Sequence, residues 1–319
     1  MKFLFLIDPP SSLHPEKDTS LALMAAAKER GEVYYTTWGG FHLENSEIYF
    51  AAQKITVNLD GKKAVFVLGE KELLCAQELD VFFIRTDPPF DLNYLVHCWL
   101  LDYLPPHVAV INEPRALSLF NEKIFALRFR SLIPDTVITK DKKIFQNFLD
   151  KHKTIVAKSI HGFGGSQVFL VHHRDLNRHV IFETLAQKGE YVLLQEYIPQ
   201  ASEGDKRILI LGQRILGCIL RVHAEGDHRN NFAAGGKAFP CELTKRDQEI
   251  VDQVSQVIFP MGIHFAGLDI LGSYLTEINV TSPTCLREMN LLYGVSLEKE
   301  VIDYAIKLSQ DRKRQYGPL

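Results

Sequence analysis

The chain is 319 residues long, 46% hydrophobic and 24% charged, with a formal net charge of −3. That length exceeds what one hydrophobic core usually serves, so two or three domains are expected. The near-neutral composition gives no bulk electrostatic reason to bind nucleic acid or an anionic membrane, and Arg312-Lys313-Arg314 reads as a solvated helix end.

Lys2 to Asp8 reads as a buried strand. Its apolar run, Phe3-Leu4-Phe5-Leu6-Ile7, stops at Asp8-Pro9-Pro10, too early for a secretion signal, and no small-residue cleavage site follows. No run of about eighteen apolar residues predicts a membrane span. Asp18 to Arg30 is a helix closed by Gly31, and Phe90 to Leu104 a helix stopped by Pro105-Pro106. Val33 to Trp38, Asp80 to Arg85 and Val108 to Asn112 are strands. This alternation predicts an α/β domain over residues 1–120, a doubly wound and mostly parallel sheet. Ligands of such sheets lie beyond the carboxyl ends of strands, where Asp8 and Arg85 stand.

A helix-rich connection, Glu113 to Arg130, leads into a small α+β unit over residues 121–199. Its strands are Thr136 to Thr139, Thr154 to Lys158, Gln167 to Val171 and Tyr191 to Glu196; its helices are Asp141 to His152 and Phe182 to Lys188. Residues 200–319 form the third part: strands to Arg221, a polar loop to Gly236, an amphipathic helix from Thr244 to Phe259, a hairpin, and a last helix from Leu297 to Leu308. Cys75, Cys98, Cys218, Cys241 and Cys285 are odd in number, widely spaced and without a C-x-x-C pair, so neither a disulfide framework nor a zinc site is supported and reduced thiols in a cytoplasm are the default.

The hairpin carries the most chemistry. Glu277 and Asn279 are two residues apart and share one strand face, while Thr276, Ile278 and Val280 fill the other. Asp269 points away from Leu268 and Ile270. An odd loop such as Leu271-Gly272-Ser273 would bring Asp269, Glu277 and Asn279 to one side, a donor set that suits Mg²⁺. Alone, the pattern also fits a solvated hairpin. The turn His161-Gly162-Phe163-Gly164-Gly165-Ser166, with Lys158 ending the strand before it, is either a phosphate cradle or a flexible hairpin. It matches neither a Walker A loop nor the G-x-G-x-x-G fingerprint. Gln195-Glu196-Tyr197-Ile198-Pro199 ends a strand, as a hinge or as a backbone edge for adenine. The loop from Arg221 to Gly236 carries Arg221, Arg229 and Ala233-Ala234-Gly235-Gly236, and its length and polarity favour binding of phosphate or carboxylate.

Taken together the segments resemble prokaryotic-type glutathione synthetase of the ATP-grasp superfamily. The resemblance runs along nearly the whole chain, through Lys17-Asp18-Thr19-Ser20, Arg85-Thr86-Asp87-Pro88-Pro89-Phe90, Asn121-Glu122-Lys123, Gly162-Phe163-Gly164-Gly165, Gly204-Asp205-Lys206-Arg207, Arg229 to Gly236, Gly267-Leu268-Asp269-Ile270 and Thr276 to Cys285. It implies a two-part ATP-grasp nucleotide-binding fold after the first domain, and ATP-dependent joining of γ-glutamylcysteine to glycine through an acyl phosphate. By position, Lys123 and Lys158 would contact ATP, Gly162 to Gly165 would form the lid, Glu196 and Ile198 would hold adenine through the backbone, and Asp205 would lie near the ribose. Asp269, Glu277 and Asn279 would hold Mg²⁺, or Mn²⁺ in its place. Arg207, Arg221 and Arg229 would stabilise the transferring phosphoryl group. Asp18, Ser20, Arg85, Ser282 and Thr284 would bind the peptide, with Gly235 and Gly236 closing the loop around it. The resemblance also implies a homo-oligomer, often a tetramer. Ser159, His161 and His223 depart from the family's usual proline, aspartate and proline. These departures leave open an acceptor amine other than glycine, or a module that binds nucleotide without turnover.

Overall fold

Burial on both faces explains the unbroken apolar run of β1 (Lys2–Ile7): Leu4 and Leu6 pack into one core, Phe3, Phe5 and Ile7 into another. A computed structural model describes residues 1–61, 63–223 and 236–317. The first sheet continues with β2 (Glu32–Thr36), β3 (Phe41–Glu44), β4 (Glu47–Asp60), β5 (Lys63–Cys75), β6 (Val81–Arg85) and β7 (Ala109–Ile111), in the order β3-β4-β2-β1-β6-β7 with β5 paired to β4. Strands β2, β1, β6 and β7 are parallel, as expected. The antiparallel addition β3–β5 has no counterpart among the predicted elements; β4 alternates buried and exposed residues, and β5 is exposed along most of its length.

Helices cover both faces of this sheet. Helix α1 (Thr19–Lys28) is capped by Asp18, whose Oδ1 accepts from Leu21 N at 3.0 Å, and helix α2 (Leu92–Leu101) by Asp91. Tyr94, Cys98 and Leu101 of α2 join the core of Leu4 and Leu6; Leu21, Leu23 and Met24 of α1 join that of Phe3 and Phe5. A short helix, α3 (Pro114–Ser118), starts the connection to the second part.

The second sheet contains β8 (Thr136–Thr139), β9 (Thr154–Ser159), β10 (Val168–His172) and β11 (Val192–Glu196), all antiparallel, in the order β10-β9-β11-β8. Its own core holds Phe145 and Leu149 of α4 (Lys142–His152) and Phe182 of α5 (Arg178–Leu185) against Ile155, Ala157, Val171 and Leu194.

The third sheet, order β14-β13-β12-β15-β16, is antiparallel. It contains β12 (Asp205–Leu211), β13 (Arg214–Val222), β14 (Lys237–Phe239), β15 (Phe265–Leu271) and β16 (Tyr274–Asn279). Helix α6 (Lys245–Ile258) begins at a Thr244–Asp247 capping box. Helix α7 (Leu286–Tyr293) was not anticipated, and α8 (Leu297–Tyr316) runs two turns beyond the predicted Leu308. Val301, Ile302 and Ala305 of α8 share one core with Phe3, Phe5 and Leu209, and Asn112 ties β7 to the third sheet through Phe265 O (2.7 Å) and Val280 O (2.8 Å). The first and third sheets therefore share continuous cores, whereas the second keeps a core of its own.

Candidate active site

A cleft of about 790 Å³ takes its lining from all three parts of the chain. Asp18, Ser20 and Arg85 come from the carboxyl-end side of the parallel sheet, Phe163, Gly164 and Ser166 from the β9–β10 turn, and Arg207, Arg221, Glu277 and Asn279 from the third sheet. Lys123, Ser282 and Thr284 complete this set of expected residues.

Its most charged part follows from strand register. Period-two alternation puts Asp205 and Arg207 of β12 on one face, and pairing sets Asp205 against Arg221 and Arg207 against Asp269. Arg207 grips Asp269 bidentately (Nε to Oδ1 2.5 Å, Nη2 to Oδ2 3.0 Å), and Arg221 grips Asp205 (Nε to Oδ1 2.9 Å, Nη2 to Oδ2 2.5 Å). Arg221 Nη2 also reaches Asp269 Oδ2 at 3.0 Å. Gly267 makes room: a Cβ there would stand 3.1 Å from Arg207 Cδ. Burial pushes the Asp269 carboxyl up, but the two guanidiniums overcome it and hold it down to about 2. Burial pushes Asp205 up in spite of Arg221. Among the described residues each arginine engages the acids through Nε and Nη2, which leaves a second donor edge on each guanidinium lining the cleft.

The hairpin reaches the expected face by a different route. Its loop is the two-residue Gly272-Ser273, since Leu271 pairs with Tyr274, and not the three-residue loop expected. A β-bulge supplies the odd residue: Ile270 pairs with Leu275 while Asp269 pairs with Glu277, leaving Thr276 over, its Oγ1 donating to Asp269 O at 3.0 Å. Leu275, not Thr276, therefore joins Leu268, Ile270 and Ile278 in the core, and Asp269 lies across from Glu277. Among the described residues no three His, Cys, Asp or Glu side chains gather at metal-binding spacing. The donors here are instead two carboxylates and an amide, with Glu277 and Asn279 facing the cleft and Asp269 behind them. A carboxylate offers about four acceptor positions, and Asp269 has three on guanidinium N–H groups. The set fits a hard, oxygen-seeking cation in type and charge.

Lysines approach from the second part. Lys123 is buried; its Nζ donates to Gly162 O and lies 3.9 Å from Glu277 Oε1. Lys158 Nζ donates to Gln195 Oε1 (3.2 Å), and burial lowers its pKa although Glu277 opposes that. The turn between them is tight: Ser166 Oγ donates to Phe163 O (2.7 Å), and Gly164 and Gly165 have φ of +60° and +80°. The departures have local partners here, since Ser159 Oγ accepts from His161 N (3.2 Å) and His161 Nε2 meets Glu190 Oε2 at 3.0 Å.

Lys158, Glu196, Ile198, Asp205, Gly162 and Gly165 do not line the cleft itself. Arg229 and Gly235 lie outside the described residues, and Gly236 stands immediately before β14. Three lining acids, Asp87, Glu122 and Glu288, have no assigned role from sequence. Glu122 Oε1 accepts from Val280 N (2.9 Å), Thr281 N (3.2 Å) and Thr281 Oγ1 (2.9 Å), fixing the end of β16 against the segment that carries Lys123. Its place between Asn121 and Lys123 was the available signal. Glu288, in the first turn of α7, had none.

Family models for the prokaryotic glutathione synthetase N-terminal domain and ATP-grasp domain match residues 1–118 and 122–294. The chain belongs to the prokaryotic glutathione synthetase family. Glutathione synthetases of Escherichia coli K12 and Vibrio cholerae are 36% and 35% identical to it over 307 residues, covering 95% of this chain and 97% and 96% of theirs. Solved structures of a D-cycloserine synthetase, DcsG (TM-score 0.65, 12% identity, 98% of this chain and 100% of that one), and of a Chryseobacterium gregarium RiPP-associated ATP-grasp ligase (TM-score 0.65, 15% identity, 98% and 97%) share the fold. Membership of the glutathione synthetase family makes this chain an ATP-dependent ligase of the ATP-grasp type.

Proposed function

We propose that this ligase joins γ-glutamylcysteine to glycine, forming glutathione with release of ADP and phosphate. One observation carries the reading: a single cleft lined by three buried arginines, two hard oxygen donors, a glycine turn and the ends of parallel strands. The peptide's terminal carboxylate attacks the γ-phosphorus of ATP, and ADP leaves. Glycine's amine then attacks the acyl carbon, and the acyl oxygen departs with phosphate.

In this reading Asp18, Ser20, Arg85, Ser282 and Thr284 hold the peptide, and Arg207 and Arg221 present guanidinium donors to the charge that develops on the phosphoryl group. Asp205 and Asp269 keep those two arginines in place. Lys123, Lys158 and the turn Gly162, Gly164 and Gly165 face the phosphates and keep water from the acyl phosphate. Glu196 and Ile198 offer backbone groups to adenine. Arg229 would join Arg207 and Arg221 at the transferring phosphoryl group, and Gly235 and Gly236 would serve the peptide. Asp269, Glu277 and Asn279 would hold Mg²⁺, or Mn²⁺ in its place, which when bound neutralises phosphate charge.

The division into residues 1–120, 121–199 and 200–319 is part of the proposal, supported by one sheet in each range. So are a homo-oligomeric state and a cytoplasmic location, the latter supported by five free thiols. No helix among the described residues is long and apolar enough to cross a membrane. Incubation with ATP, Mg²⁺, γ-glutamylcysteine and glycine should release phosphate in step with tripeptide, and no phosphate above background overturns the reading. A panel of amines in place of glycine tests the acceptor.

A further inference from the structure

We propose that Cys218 and Cys241 form an oxidation site, a dithiol that hydrogen peroxide converts to an intrachain disulfide. The assignment holds whichever amine the ligase accepts. Cys218 belongs to β13, and Cys241 follows β14 on the path to α6. The two strands are antiparallel, with Leu220 opposite Phe239, Arg221 opposite Ala238 and Val222 opposite Lys237. Carried two residues further, that register sets Cys218 opposite Cys241. Residues directly opposite in such a pair have Cα atoms about 4.5 to 5.5 Å apart, a span that a disulfide bridges. The two sulfurs lie 3.2 Å apart, and Cys218 Sγ also meets Cys241 O at 3.4 Å. Both thiols are free.

A shared metal ion is the competing use of two such sulfurs. Thiolates bound tetrahedrally at about 2.3 Å from zinc stand about 3.8 Å apart, farther than the 3.2 Å here. Nor do three His, Cys, Asp or Glu side chains gather at metal-binding spacing among the described residues.

The surroundings favour reaction at Cys218. The Cys241 thiol donates to its sulfur and lowers its pKa; burial opposes this, while the Lys206 ammonium and the Tyr293 hydroxyl side with the thiolate. Lys206 Nζ is held by Asp247 Oδ2 (2.6 Å) and Glu242 O (3.0 Å), and Asp247 acts against the thiolate. Tyr293 Oη accepts from Cys241 N at 3.0 Å and so fixes Cys241 beside its partner. Burial instead pushes the Cys98 thiol up to about 12, and it also raises Cys285, which lines the cleft. The thiolate is the nucleophile, so oxidation reaches the pair before either of these.

Cys218 is 8% exposed, so its oxidant must be small. Its thiolate attacks one peroxide oxygen, the O–O bond breaks, and the other oxygen takes up a proton and leaves as water. The resulting sulfenic acid is then attacked by the Cys241 sulfur. The S–O bond breaks, and the hydroxyl leaves as water with the Cys241 proton. Two thiols are oxidised by two electrons in all, and one peroxide is reduced to two waters.

The test is peptide mapping of the reduced full-length enzyme after a small excess of hydrogen peroxide, with the remaining thiols alkylated in denaturant. Two of the five alkylatable thiols should be lost first, as a Cys218–Cys241 disulfide, and dithiothreitol should restore both. Glutathione disulfide, too bulky for so enclosed a thiol, should react more slowly than peroxide. In Cys241→Ser the reaction should stop at a Cys218 sulfenic acid that dimedone traps. Earlier oxidation of Cys75, Cys98 or Cys285 in the wild type, which requires no variant to fold, overturns the assignment. So do disulfides that link two chains, faster reaction with glutathione disulfide, or a Cys241→Ser protein without trapped sulfenic acid at Cys218.

Discussion

Asp269 shows how a single carboxylate can be held ionised inside a core. It is 4% exposed, a position in which an isolated acid would take up a proton, yet three contacts with Arg207 and Arg221 keep it charged. Glu277, across the strand pair, has no such arginine contacts among the described residues and faces the cleft beside Lys123. Glu277→Gln keeps the side-chain volume and removes one negative charge. We expect ligation to fall by about 100-fold or more while the thermal midpoint stays within about 2 °C. Near-normal phosphate release in that variant would remove Glu277 from the metal set. His264 makes a stability prediction with a defined pH window. It is buried, its Nδ1 lies 2.8 Å from Tyr304 Oη, and burial, aided by Arg312, lowers its pKa to about 4. The unfolded chain binds the proton first, so this residue's contribution is fully present above the ordinary value of 6.5 and is lost as pH falls from there toward 4. Between pH 6.5 and 5 that amounts to about 2 kcal/mol. Urea unfolding at both pH values should show His264→Gln losing less stability than the wild type by about that amount.

At the scale of elements, the β15–β16 hairpin and the β9–β10 turn do the positioning. In the hairpin, alternation assigned Glu277 and Asn279 to one face correctly, but the bulge at Thr276 was not legible. A bulge changes pairing without breaking the apolar pattern on either side, so Leu275 and Ile278, three residues apart, both reach the core. The turn was legible from its glycines because backbone conformation demands them. At Gly162 the demand is space: a Cβ would lie 2.7 Å from Ser166 O. Gly162→Ala should therefore distort the turn and lower kcat/KM for ATP by about 10- to 100-fold. The core around Phe145 and Phe182 is untouched. Circular dichroism melting should accordingly be unchanged, and an unchanged KM for ATP would mean that the turn does not cover the nucleotide. The long β4–β5 hairpin escaped prediction because β5 buries only Ala64 and Leu74 and leaves Val65, Val67, Leu68 and Leu73 exposed. Helix α7 escaped because it follows Cys285 in the left-handed region, at φ +83°, with no side-chain cap to announce it.

Across the whole molecule, the first and third sheets share cores, joined by Phe125, Phe129 and Leu132 of the connection, while the second sheet packs on Phe145 and Phe182 of its own. The outer edge carries a consequence. Val65 and Val67 of β5, two residues apart on one face, are 52% and 65% exposed, an apolar pair of the kind that subunit contacts cover. Sedimentation should give a mass that is a multiple of the 36.3 kDa chain, and Val67→Lys should shift it toward that unit. A wild-type chain sedimenting at 36.3 kDa would end the expectation of a homo-oligomer.

What the sequence determined by itself was local: strands and helices with clear periodicity, glycine turns, a helix beginning near Asp18, and an ordered set of motifs specific enough to indicate a family. The tertiary structure decided which charges meet. Arg207 lies 62 positions from Asp269, and Glu122 158 positions from Val280, so neither pairing follows from local pattern. The strength of such contacts depends on separation and burial, and both are set by sheet register and shared cores rather than by neighbours along the chain. For that reason Asp18, Glu277, Arg85, Arg207 and Arg221 could be named from sequence, whereas the clamp on Asp269 and the anchoring of β16 by Glu122 emerged only in the fold.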